Sequence, residues 1–165
     1  ISWAMPTEMF AVMADNETAA IHAHLRRLPA ASDAQPVTLK HRLFKAYAAA
    51  TGELIPNVVL VRATDAGPAV APAPGTPAWG PYFTRLACAE CHNHGLGGFG
   101  SDTPAFADAI QVYDWPAFVR LTTTGRPPDG RKLRLMTGVG RERLVHMADA
   151  ERRALFDYLK ALSPP

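Results

Sequence analysis

The chain has 165 residues, room for one ordinary domain or two small ones and too few for a large α/β enzyme. Hydrophobic residues make up 48% and charged residues 19%, which excludes a disordered tail. The 17 Lys and Arg against 15 Asp and Glu leave a net charge of +2, too weak a field to gather a phosphate backbone, so no nucleic acid partner is expected.

The expected elements, in chain order, are helical. The first residue is Ile1 and no basic stretch leads into an apolar one, so the expectation is that a secretory signal has been removed or that the chain starts late. Residues 14–28 set Ala20, Ile21, Leu25 and Leu28 on one amphipathic face behind a capping Asp15. A second helix is expected over 38–50. The longest apolar run, residues 55–61, is interrupted by Pro56 and Asn57 and cannot span a bilayer. Residues 66–81 form a Pro/Ala/Gly tract that favours extended geometry. A compact unit begins near Pro77, with a short helix over 82–91 and a glycine-rich loop over 95–100. A helix over 115–122 has Pro116 in its first turn, and a long helix over 148–162 closes the chain behind Asp149. No strand alternation of useful length occurs, so the expected fold class is all-α.

The first and last of these helices are copies of one pattern. Met13-Ala14-Asp15 matches Met147-Ala148-Asp149, an offset of 134 residues from 15 to 149. The same offset carries Glu17 to Glu151, Ala20 to Ala154, Ile21 to Leu155, Leu25 to Leu159 and Leu28 to Leu162, an internal repeat. A further methionine precedes each copy, Met5 in one and Met136 in the other.

Chemistry is concentrated in Cys88-Ala89-Glu90-Cys91-His92, the C-x-x-C-H arrangement of covalent haem attachment. Two thiols nearly one helical turn apart suit the two vinyl groups of a porphyrin, and the histidine that follows suits an axial site on its iron. Two other chemistries use the same residues. A dithiol redox pair should sit near a βαβ pattern, which this chain lacks, and a zinc site would draw on Cys88, Cys91, His92 and His94.

Over most of 77–165 the sequence resembles the c-type cytochrome domains found singly or in tandem in bacterial periplasmic electron-transfer proteins. The resemblance implies a cytochrome c-like helical domain around one haem c. Its first helix would include residues 80–87, with Gly80 allowing a close crossing by the last helix at Tyr158 and Leu159. It further implies that His92 is the proximal iron ligand and that its second ring nitrogen bonds the backbone carbonyl of Pro104. Met136 would be the distal ligand, from the loop before the last helix, with Gly138 and Gly140 permitting close approach. Met147 is the competing methionine, better suited to stapling the helix start, and His146 a weaker alternative. Tyr113 and Trp115 resemble the aromatic wall of the haem pocket, where either could bond a propionate, while Phe118 is expected in the core. Arg126, Arg131 and Lys132 flank a turn over 127–130 that is expected at the surface.

Residues 1–35 then read as the closing half of a preceding cytochrome c-like domain, or as an extra helix. In the first case Met5 would be the distal ligand of a second haem, attached by sequence further upstream. Residues 36–76 read as a connector, and 77–165 as the cytochrome domain. The implied function is one-electron transfer in the periplasm, relaying electrons from a dehydrogenase to quinone, another cytochrome or an oxidase. No catalysis by the chain itself is expected, and any membrane association would run through partners. The alternative is a di-haem cytochrome enzyme, peroxidase-like or thiosulfate-oxidising, or a haem-based sensor with an open distal site.

Overall fold

The computed structural model describes residues 7–30, 65–99 and 103–162, together with the separate positions 42, 43, 46, 47 and 50. Met5 lies outside the described residues. So does most of the helix expected over 38–50, although its five described positions are helical. Among the described residues the chain is mostly helical, with one isolated bridge between Phe99 and Thr103 and no strand, so the all-α expectation holds. No helix among them is long and apolar enough to cross a membrane. The chain divides into two compact units, Ile1–Ala71 and Pro72–Pro165.

In the first unit, α1 (Thr7–Phe10) turns through residues 11–14 into α2 (Asp15–Leu25). Met9, Val12 and Ala14 are buried beneath this turn. Asp15 does not cap α2 as expected: the N-cap is Ala14, and no side chain caps it. The N–H groups that a cap leaves unmet are met by the Pro-rich tract instead. Asp15 N–H donates to the Pro68 carbonyl at 3.1 Å and Asn16 N–H to the Ala69 carbonyl at 3.2 Å, while Ala71 N–H returns a bond to Asn16 Oδ1 at 3.0 Å. Gly67 lies so close beneath that a Cβ would stand 2.3 Å from the Met13 carbonyl oxygen. Beyond these bonds α2 buries none of its own residues.

The second unit opens with α3 (Trp79–Phe83), which starts three residues before the expected helix. It widens through a π-helical turn, Thr84–Cys88, and tightens again into α4 (Ala89–His92). After a loop come α5 (Phe106–Ala109), a 3-10 turn over Ile110–Val112, and α6 (Trp115–Thr124). Asp114 caps α6 by accepting from Ala117 N–H at 2.8 Å, and Gly125 ends it at φ 69°. Next are α7 (Arg134–Glu142), a 3-10 turn over Leu144–His146, and α8 (Asp149–Lys160).

The core is built where α8 lies against α3 and α6. Trp79, Ile110, Phe118, Ala154, Leu155, Phe156 and Leu159 are its buried side chains, and Phe156 meets Phe118 at 5.1 Å and the edge of Trp115 at 5.6 Å. α3 and α8 approach closely because Gly80 has no side chain: a Cβ there would stand 2.6 Å from the Ala154 carbonyl oxygen. The buried hydroxyls of Thr84 and Thr122 donate back to Gly80 O at 2.8 Å and Phe118 O at 2.9 Å, so neither costs an unmade bond. Asp149 is not the cap of α8 either. Ala148 N–H is taken by the Glu151 carboxylate at 2.7 Å, and Asp149 pairs with Arg152 at 2.7 Å. Arg152 is itself buried and donates to the Met147 carbonyl at 3.1 Å, tying down the turn ahead of its own helix.

Candidate functional site

The two cysteines sit on the tail of the widened helix, Cys88 closing the π turn and Cys91 exposed in α4. A π turn within an α-helix is rare and is frequently found at functional sites. As a residue Cys88 is only half-buried, yet its thiol is enclosed enough that desolvation, with a smaller push from Cys91, raises its pKa to about 12. Burial thus works against the activated thiolate on which disulfide exchange depends. Nor is a zinc site assembled: among the described residues no three His, Cys, Asp or Glu side chains converge to hold a metal ion, and His94 is exposed.

Immediately after His92 the chain reverses, and the reversal positions the imidazole. Asn93 leaves the helix at φ 57°, accepts from Gly97 N–H at 3.1 Å and donates its amide to Gly98 O at 2.6 Å. Gly98 N–H bonds the His92 carbonyl at 3.0 Å, and Phe106 N–H the Leu96 carbonyl at 2.9 Å. Only glycine fits at 98, because φ is 76° and a Cβ would stand 2.2 Å from the Thr103 carbonyl oxygen. The folded-back loop sets the Pro104 carbonyl 3.1 Å from His92 Nδ1, and Phe106 stacks on the imidazole at 4.1 Å and 17°. A carbonyl can only accept, so this bond assigns the proton to Nδ1 and leaves the lone pair on Nε2. Burial lowers the His92 pKa below its ordinary value, with the Pro104 bond pulling the other way.

His92, Pro104 and Phe106 line one side of a cavity of about 720 Å³, within the range of cofactor pockets. Met136 lines the same cavity, with Ile110, Leu121, Leu133 and Leu159 supplying apolar wall. Met136 is not in a loop, as the sequence suggested, but in the first turn of α7. Thr137 starts this helix early. Its hydroxyl accepts from Leu133 N–H at 2.7 Å and donates to the Gly125 carbonyl at 2.9 Å, pinning the first turn to the end of α6. Of the two glycines expected to allow close approach, only Gly140 does, with the Leu121 carbonyl oxygen 2.3 Å from where its Cβ would be; Gly138 faces open space.

Tyr113 also lines the cavity, and burial raises its phenol pKa against the opposing influence of Arg131. Trp115 is not among the lining residues; it packs on Phe156 beneath the Arg153 guanidinium, 3.8 Å from its ring centroid. Cys88 and Cys91 do not line the cavity either, and reach it only through the helix that ends at His92. Arg131 and Lys132 are exposed, as a surface turn requires, yet both also line the cavity, whereas Arg126 closes the turn by bonding the Gly130 carbonyl at 3.0 Å. Met147 packs at the edge of the core and His146 is exposed. Sequence reasoning missed Asn93, Phe106 and Thr137. The first had a readable signal, an Asn followed by a Gly-rich stretch at a helix end, residue types that tolerate a positive φ. Comparison with protein-family models, with curated proteins and with solved structures gives no match.

Proposed function

We propose that residues 72–165 form a c-type cytochrome domain that carries single electrons in the periplasm. The observation that carries this reading is that one apolar cavity is lined by both His92 and Met136, while the second nitrogen of His92 is held by Pro104 at 3.1 Å. An imidazole and a thioether are the donor pair of an electron-transfer haem, and a histidine that ligates iron characteristically gives its other N–H to a carbonyl. His92, Pro104 and Met136 suit the group, and the cysteines, which lie outside the cavity lining, are joined to it through the helix that ends at His92. Cys88 and Cys91 would hold the porphyrin by thioether bonds, and His92 and Met136 would supply the nitrogen and sulfur donors to its iron. Tyr113, Arg131 and Lys132, which line the same cavity, would meet its carboxylates.

When bound, haem c supplies a metal centre that takes up and releases one electron. The chain's own contribution is positional. Pro104 and Phe106 fix the tautomer and plane of His92, Thr137 fixes the turn that bears Met136, and Ile110, Leu121 and Leu159 exclude water. If His92 and Met136 both hold the iron, no donor position would be left for a substrate, which favours electron transfer over catalysis. The redox partner on this reading is a dehydrogenase, a quinone-reacting complex, a cytochrome or an oxidase.

The test is the mass of the chain produced in bacteria that attach haem c. The expected result is one haem per chain that resists acidic acetone extraction and is absent from a Cys88→Ser, Cys91→Ser variant. A purified chain with no covalent haem, or haem retained by that variant, overturns the reading.

A further inference from the structure

Among the described residues that line the cavity, every formally charged side chain is a cation: Arg131, Lys132 and Arg134 take part and no carboxylate does. They follow the turn over 127–130, whose two successive prolines offer no backbone N–H at 127 or 128. Gly130 N–H donates to the Pro127 carbonyl at 2.9 Å, the Arg126 guanidinium to the Gly130 carbonyl at 3.0 Å, and Arg131 N–H to Asp129 Oδ1 at 3.1 Å. These bonds close the turn on itself. Arg120 ties it to a helix: from α6, its Nη2 donates to Pro127 O at 3.0 Å and to Pro128 O at 2.8 Å. Beyond the cations, Thr137 fastens Leu133 N–H and the Gly125 carbonyl. Residues 131 and 132 are thus suspended between two anchors on α6, a guanidinium at the turn and a hydroxyl at the start of α7.

From these bonds we infer that Arg120 is a positioning residue for electron transfer: it sets the reduction potential by holding Arg131 and Lys132 at the cavity. The inference rests on the haem reading above. Oxidation adds one positive charge at an iron centre, so cations held beside it disfavour the oxidised form and raise the potential. Arg120 does this at one remove, through the two proline carbonyls. The field of the segment already reaches the cavity wall: burial raises the Tyr113 phenol pKa, and Arg131, with a smaller contribution from Arg120, pulls it down. Because Arg131 and Lys132 are exposed, their effect is screened by salt and is largest at low ionic strength.

The test is a potentiometric titration of the purified chain and its Arg120→Met and Arg120→Gln variants at low and high salt, with amide exchange at Gly130 followed on the same samples. Arg120 is exposed, so both variants should keep the parent's circular dichroism. Each should show a lower midpoint potential, a shift that shrinks as salt is added, and exchange at Gly130 faster by about tenfold or more as the turn is released. In a chain already carrying Arg131→Gln and Lys132→Gln, Arg120→Met should leave the potential unchanged, since the charges it positions are gone. An unshifted potential in haem-loaded Arg120→Met and Arg120→Gln overturns the inference alone. So does a full shift in the Arg131→Gln, Lys132→Gln background, because Arg120 would then act by its own charge. A parent chain without covalent haem overturns the electron-transfer reading and this inference with it.

Discussion

Helices α2 and α8 carry one pattern of apolar residues and use it differently. In α8 the stripe closes the core against α3, and its aromatic neighbours reach the wall of the apolar cavity. In α2 the corresponding Ile21 and Leu25 are 48% and 56% exposed, and the helix is held at its start by backbone bonds to the carbonyls of residues 68 and 69. An amphipathic pattern therefore specifies a face that is able to be buried, and burial needs a partner that can come close enough. Gly80 is that condition in the second unit. The copies also differ at the position of Arg152, which ties the turn before α8 to its own helix; the offset places exposed Thr18 there in α2.

Substitutions at matched positions sharpen this contrast, each read by denaturant unfolding of the full chain. Leu159→Ala should cost about 3 kcal/mol, the price of a cavity in a packed core. Gly80→Ala should cost about 2 kcal/mol, because the new methyl meets the α8 backbone and not a yielding side chain. Arg152→Ala should cost about 1.5 kcal/mol, since the carbonyls it serves lose their donor. Leu25→Ala, the counterpart of Leu159→Ala, should stay within about 0.5 kcal/mol, as surface substitutions do. A loss at Leu25 equal to that at Leu159 would break the comparison.

Legibility in the sequence followed the range of the interactions. The helices expected from spacing over 14–28, 115–122 and 148–162 appear at 15–25, 115–124 and 149–160. The meeting of His92 with Pro104, twelve residues on, was approachable only through the family resemblance. The loop that closes it depends on Asn93 and Gly98, whose bonds form only once the chain has reversed. The starts of α2 and α8 were misjudged because acidic residues at helix starts suggest caps, whereas here Pro68, Ala69 and Glu151 supply the partners. Met136 was expected in a loop before the last helix, with Gly138 and Gly140 permitting close approach. A hydrogen bond from Thr137 to the Gly125 carbonyl, invisible to any local pattern, makes that segment a helix.

The most direct test of the central claim is the visible absorption spectrum of the purified chain, oxidised and reduced, alongside its Met136→Ala and Met147→Ala variants. The account predicts a low-spin spectrum with the weak oxidised band of sulfur-to-iron ligation, lost in Met136→Ala and kept in Met147→Ala. A high-spin spectrum that shifts on adding cyanide or carbon monoxide, or a sulfur band that survives Met136→Ala, would contradict it.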